Sequence, residues 1–196
     1  MRRIFIALAF CLCAAAPVAP LEFSRSGNRV LISGFVKVND ENEFERFMAA
    51  NGNSSATQAV LNSGGGSVNS AIEIARYFRS HGMSTYVDGR SGHCESACTI
   101  LFGGGVQRYY VNTQGMASGV QGAGGTGLGF HQATTSLSQQ PGGFSGAGTA
   151  MVIGAYYEMG IGNASTLADR APPNKIYRLS GEEALKLGIA TALGVR

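Results

Sequence analysis

The chain has 196 residues, 44% of them hydrophobic, with 29 glycines and no tryptophan. That length suits one domain with a sizeable core. A formal charge of +3 gives no support to nucleic acid or an anionic membrane surface as a partner.

The chain opens "MRRIFIALAFCLCAAAPVAP": two arginines, an apolar run from Ile4 to Leu12, then small residues ending in prolines. This is the layout of a secretory signal peptide, short for a membrane span. We therefore expect a leader over residues 1–19, a single domain over 20–196, and a periplasmic or secreted protein. Neither Cys11 nor Cys13 follows the small residue that a lipoprotein signal would show. Cleavage removes Arg2 and Arg3 and leaves Cys94 and Cys98 as the only cysteines, in a compartment where disulfides persist.

"NRVLISGFVKV" (28–38) alternates apolar and polar residues and reads as a strand. In "ENEFERFMAANG", Phe44, Phe47 and Met48 have helical spacing, with Gly52 as the stop. "QAVLNS" (58–63) is a short strand running into a glycine turn. "SVNSAIEIARYFRSHG" follows, a helix with Val68, Ala71, Ile72, Ala75 and Phe78 on one face. "STYVDG" is a further strand, and the alternation predicts βαβ units with right-handed crossovers.

"GHCESACTILFGGG" (92–105) begins the next unit, with a buried helix from Ser96 to Phe102, and "QRYYVN" gives another strand. Residues 115–129 form a low-complexity glycine stretch, expected to be a disordered surface insertion rather than an active-site lid. "FSGAGTAMVIGAYYEMG" reads as a helix weakened by small residues. "LSGEEALKLGIATALG" starts with a serine cap and Glu183 at the third helical position, a capping-box pattern.

A serine hydroxyl is a poor nucleophile near neutral pH and needs a base within reach and donors aimed at the developing oxyanion. Ser96 stands at the mouth of an apolar helix, whose first amides and dipole favour negative charge. The glycines at 64–66 allow close approach of backbone to a ligand. His131, one of three histidines, ends a predicted strand. Taken singly, Ser96 reads equally as a helix cap, the glycines as packing, and His131 as a structural residue.

The order "NRVLISGFV", "LNSGGGSV", "SACTILFGGGVQRYY", "GFHQ", "LSGEEALKLGIA" resembles, block by block, the Clp protease proteolytic subunit. It is more similar still to the secreted Clp-protease-like proteins that bacteria carry behind signal peptides. The resemblance implies an α/β Clp/crotonase-like fold, a spiral of ββα units in one domain. It also implies Ser96 as nucleophile, His131 as base, Gly65, Gly66 and Ala97 around the oxyanion, and the extended backbone of Ser67 and Val68 as the edge that pairs with substrate.

The family's aspartate falls at Ile176, with Asn174 the nearest polar substitute and Asp169 a more distant one. A Ser96–His131–Asn174 triad or a Ser–His dyad is expected, slower than the family's site. The implied partner is a peptide or polypeptide, without cofactor or docking ATPase, and with a homo-oligomer altered or smaller than the family's ring. Cys94 and Cys98 read either as a disulfide bracing the Ser96 turn or as two free buried thiols. A metal site built from His93, Cys94, Cys98 and His131 lacks the spacing of structural zinc. The competing readings are a peptide-binding pseudoenzyme or oligomeric scaffold on the same fold, and an acyl-CoA enzyme, which a secreted location disfavours.

Overall fold

A computed structural model describes residues 19–51, 57–135 and 142–194; the expected leader, except Ala19, and the helix stop at Gly52 lie outside the described residues. The predicted first strand is the second of a hairpin. Strand β1 (Glu22–Ser26) runs antiparallel to β2 (Arg29–Val36) around Gly27, whose φ of 61° suits a tight turn. Helix α1 (Asp40–Ala50) then returns the chain to β3 (Gln58–Gly66), parallel to β2, which makes the first crossover.

The three glycines expected as a turn are the end of β3 itself. Gly66 pairs with Val36 after a register shift that follows the Gly34–Ser63 pair, and the extra residue of that shift lies in β3. Helix α2 (Val68–Ser80) starts on Ser67, whose hydroxyl accepts the Ser70 N–H. Its buried face is Ala71, Ile74, Ala75 and Phe78, so Ile74 occupies the core and Ile72 only its margin. Phe44 of α1 stands edge-on to Phe78 of α2, at 5.5 Å between ring centroids.

The sheet forks at β3. Its first half pairs with β4 (Ser84–Asp88), which leads to β6 (Arg108–Val111). Its second half pairs with β5 (His93–Glu95), which leads to β8 (Gly127–Phe130). Helix α3 (Ala97–Gly104) is buried at every residue, as its apolar composition requires. It packs against α2, where Gly104 faces Ala75 closely enough that a Cβ would stand 2.6 Å from the Ala75 oxygen.

Residues 115–129 overturn the expectation of a disordered insertion. They form β7 (Gly119–Gln121) and β8, and both pair antiparallel with β9 (Ile176–Arg178), one on each side. Repeated glycines hide this from any hydrophobic period, because the pairing is made by backbone. Helix α4 (Gly146–Glu158), capped by Ser145, lies over α3, and the Tyr156 and Thr99 hydroxyls meet at 2.7 Å. A short helix α5 (Ser165–Ala168) precedes β9. Helix α6 (Gly181–Lys186) closes the chain, and the Ser180 hydroxyl accepts the Glu183 N–H. Only half of the capping box forms, because Glu183 turns to Arg170 and Tyr177.

Replacing Gly104 with alanine should force α2 and α3 apart and destabilise the fold by about 1–3 kcal/mol. Chemical denaturation followed by circular dichroism reads this directly.

Candidate active site

Parallel strands β3, β5 and β8 end side by side, and the candidate residues gather at their carboxyl ends, where open α/β sheets place ligands. Ser96 is the single residue between β5 and α3. Its φ of 55° and ψ of −127° are a strained combination for a residue with a side chain. Its backbone N–H donates to the Gly129 oxygen at 2.9 Å, and its carbonyl accepts from Thr99. The side chain makes no cap hydrogen bond. The hydroxyl is therefore not consumed by the helix it precedes.

Two features hold this turn. Cys94 in β5 and Cys98 in α3 form a disulfide that straddles Ser96, with a Cα separation of 5.1 Å. The bond is accessible because Cys94 lies in the strand and outside the helix. Both residues are fully buried. Gly65, at φ 89°, lies against the other side: a Cβ there would stand 2.6 Å from the Glu95 oxygen, 2.8 Å from the Ala97 nitrogen and 2.8 Å from the Ser96 Cβ. Glycine is thus required where the end of β3 meets the first amide of α3.

Gly66 follows at φ 130°. The backbone beyond it does not form the free edge that the resemblance implies. The Ser67 N–H already donates to the Val36 oxygen, and Val68 is the first residue of α2. The Phe35 ring, at the β2 register shift, lies across Gly64 and Gly66 and divides the groove into two cavities. One, of about 530 Å³, is lined by Val36, Gly66, Ser67, Val68, Thr134 and Met151. The other, of about 440 Å³, is lined by Gly64, His93, Glu95, Gly124, His131 and Ile176. Phe35 borders both.

His131 follows the end of β8, two residues after the Gly129 that accepts the Ser96 N–H. Burial pulls its pKa below the ordinary value of 6.5, while the Gln132 backbone and the charge of Glu95 act in the opposite sense. Its Nδ1 is buried and has no hydrogen-bond partner among the described residues. Asn174 is exposed in the turn before β9 and does not reach it. Asp169 accepts instead from the Gln132 side chain at 3.3 Å. Ile176, at the position of the family's aspartate, is buried beside His131 in the smaller cavity.

Four residues at the site escaped the sequence reading. Phe35 looked like one more apolar residue of a strand. Glu95 and Arg178 form a buried ion pair, 6% and 2% exposed, and the one sequence signal that could have found it is that Glu95 immediately precedes Ser96. Gly124 lies in the stretch expected to be disordered, yet its N–H donates to Glu95 Oε1 at 2.8 Å. Among the described residues no group of three or more His, Cys, Asp or Glu side chains is placed to hold a metal.

No protein-family model matches the chain, and no curated protein matches it by sequence. Solved structures do. A variant of the membrane-bound stomatin-specific protease 1510-N aligns with a TM-score of 0.57 at 16% identity, over 84% of this chain and 77% of that one. A second variant of that protease, in complex with a substrate peptide, aligns at 0.58 and 18% identity, over 84% and 73% of the two chains. A ClpP1 variant from Listeria monocytogenes aligns at 0.54 and 17% identity, over 86% and 92%. The α/β fold of Clp-type proteases is therefore the fold of this chain.

Reduction should destabilise the oxidised protein by about 2 kcal/mol, the loop-closure contribution of so short a ring. Replacing both Cys94 and Cys98 with serine should reproduce that loss without reductant. Denaturation midpoints with and without dithiothreitol measure both effects, and the serine variant should not respond to the reagent.

Proposed function

We propose that the protein is a serine hydrolase, acting on peptide bonds outside the cytoplasm by acyl-enzyme chemistry. The observation that carries this is the Ser96 turn: a strained strand-to-helix junction that leaves the hydroxyl unspent, beside a glycine strand end and a helix amide. In the reaction, Ser96 Oγ bonds to the substrate carbonyl carbon while His131 takes the hydroxyl proton. The amides of Gly66 and Ala97 hold the oxyanion. The C–N bond then breaks, His131 gives its proton to the departing amine, and water hydrolyses the ester by the same steps.

The substrate chain would lie across Phe35, with one flank in each cavity. A base acting through Nε2 must carry its own proton on Nδ1, and here that proton has no acceptor. Leaving a buried donor unsatisfied costs about 1–3 kcal/mol, so this dyad should be slower than a site with a third residue. The same observation favours the second reading, a peptide-binding protein on this fold that has lost efficient catalysis. Leader cleavage and export remain part of the proposal, as does self-association through the exposed apolar side chains Phe144, Met151 and Tyr157 on and beside α4.

A fluorophosphonate probe separates the two readings. The enzyme should be labelled at Ser96, with labelling abolished in Ser96→Ala and reduced by at least about a hundredfold in His131→Ala. Unchanged labelling without His131 would remove it from the site. The wild-type rate should be flat at pH 7 and fall as pH drops through a value below 6.5, since the lowered pKa keeps the imidazole neutral there. Ile176→Asp, which places a carboxylate beside His131, should speed labelling by about tenfold or more. No gain would mean that the missing acceptor at His131 Nδ1 is not what limits the site.

A further inference from the structure

We infer that Glu95 is the electrostatic partner of His131, so that the acidic member of this site comes from the nucleophile's own strand rather than from β9. The inference rests on the hydrolase reading for its function, but its geometry stands alone. Glu95 immediately precedes Ser96 and pairs in register with Gly129, two residues before His131. Glu95 and His131 line the same cavity. The space between their strands is narrow: a Cβ on Gly129 would stand 3.1 Å from Glu95 Cγ, 3.0 Å from Arg178 Nη1 and 2.5 Å from Ile176 Cγ2.

The carboxylate is fixed from two directions. Oε1 accepts the Gly124 N–H and is paired with Arg178 Nη2. Stability alone gives little reason to keep such a pair, because a buried ion pair seldom outperforms well-packed apolar residues. Among the described residues Arg178 is moreover imperfectly satisfied, since its Nε has no partner and its Nη1 reaches only to the Gly127 oxygen at 3.4 Å. A neutral pair would suit the fold at least as well. A negative charge held rigidly near an imidazole has a use that packing does not supply, namely stabilising the imidazolium formed when Ser96 is deprotonated. The effect of Glu95 on His131 has the required sign.

The charged and titratable groups around Glu95 are His93 on its own strand, Arg178 on β9 and His131 after β8. The β7–β8 loop contributes the Gly124 N–H. Arg178 carries the opposite charge and is paired with Glu95, so its removal is expected to act on His131 in the opposite sense, which gives a test that structural damage cannot imitate. The chain has three histidines, so the His131 ring can be followed through a pH titration by NMR.

Glu95→Gln should lower the His131 midpoint by at least about half a pH unit, and Arg178→Gln should raise it. Opposite shifts support the assignment; shifts of the same sign, or none, overturn it. If a single variant fails to fold because it strands one buried charge, Glu95→Gln combined with Arg178→Met removes both. The combined variant should titrate below wild type, and an unmoved midpoint there overturns the assignment equally. Fluorophosphonate labelling of the same samples tests the hydrolase reading separately. Opposite shifts without any labelling would keep Glu95 as the partner of His131 and discard the enzyme.

Discussion

One residue held in a strained backbone conformation organises this molecule. Ser96 must leave β5 and enter α3 in a single step, at a positive φ that ordinary side chains avoid. Such a turn persists only where its surroundings over-determine it, and here they do so covalently, sterically and electrostatically. The disulfide joins the residues two before and two after it. Gly65 fills a space beside it that a side chain could not share. Glu95, the preceding residue, is tied to β9 and to the β7–β8 loop.

The buried helix α3 follows from the same constraint. Its eight residues are packed on all sides, so its start cannot drift, and the first amide lies where the glycine strand ends. The forked sheet has a similar consequence. By pairing first with β4 and then with β5, β3 brings its glycine end against the β5–α3 junction. Phe35 lies beside that end and borders a cavity on either side. The weak point is on the far side of His131, where Ile176 supplies packing but no acceptor.

Much of this was legible from residue order. Helices α1, α2 and α4 and strands β4 and β6 have periods or turn signals that single out their boundaries, and Ser180 announces α6 through its cap. The candidate nucleophile, the candidate base and the glycines could be named because their wording resembles one family over nearly the whole domain. The substitution at Ile176 was visible for the same reason. What stayed hidden depends on contacts between distant segments. The glycine-rich residues 119–130 carry no apolar alternation, so nothing in their composition reveals two backbone ladders with β9. Asn174 was the nearest polar substitute for an aspartate in sequence, yet it is exposed in a turn. Glu95 and Arg178 are 83 residues apart, and only the folded chain brings them together.

The central claim is that Ser96 is an activated nucleophile facing an oxyanion site formed by Gly66 and Ala97. A crystal structure of the protein treated with a peptide boronic acid tests it most directly. The account predicts a tetrahedral boron bonded to Ser96 Oγ, with one boron oxygen accepting hydrogen bonds from the Gly66 and Ala97 amides and the peptide flanks entering the cavities on either side of Phe35. A boronate bound elsewhere, or an unmodified Ser96 with peptide held only by backbone contacts, would contradict it and leave a binding protein in its place.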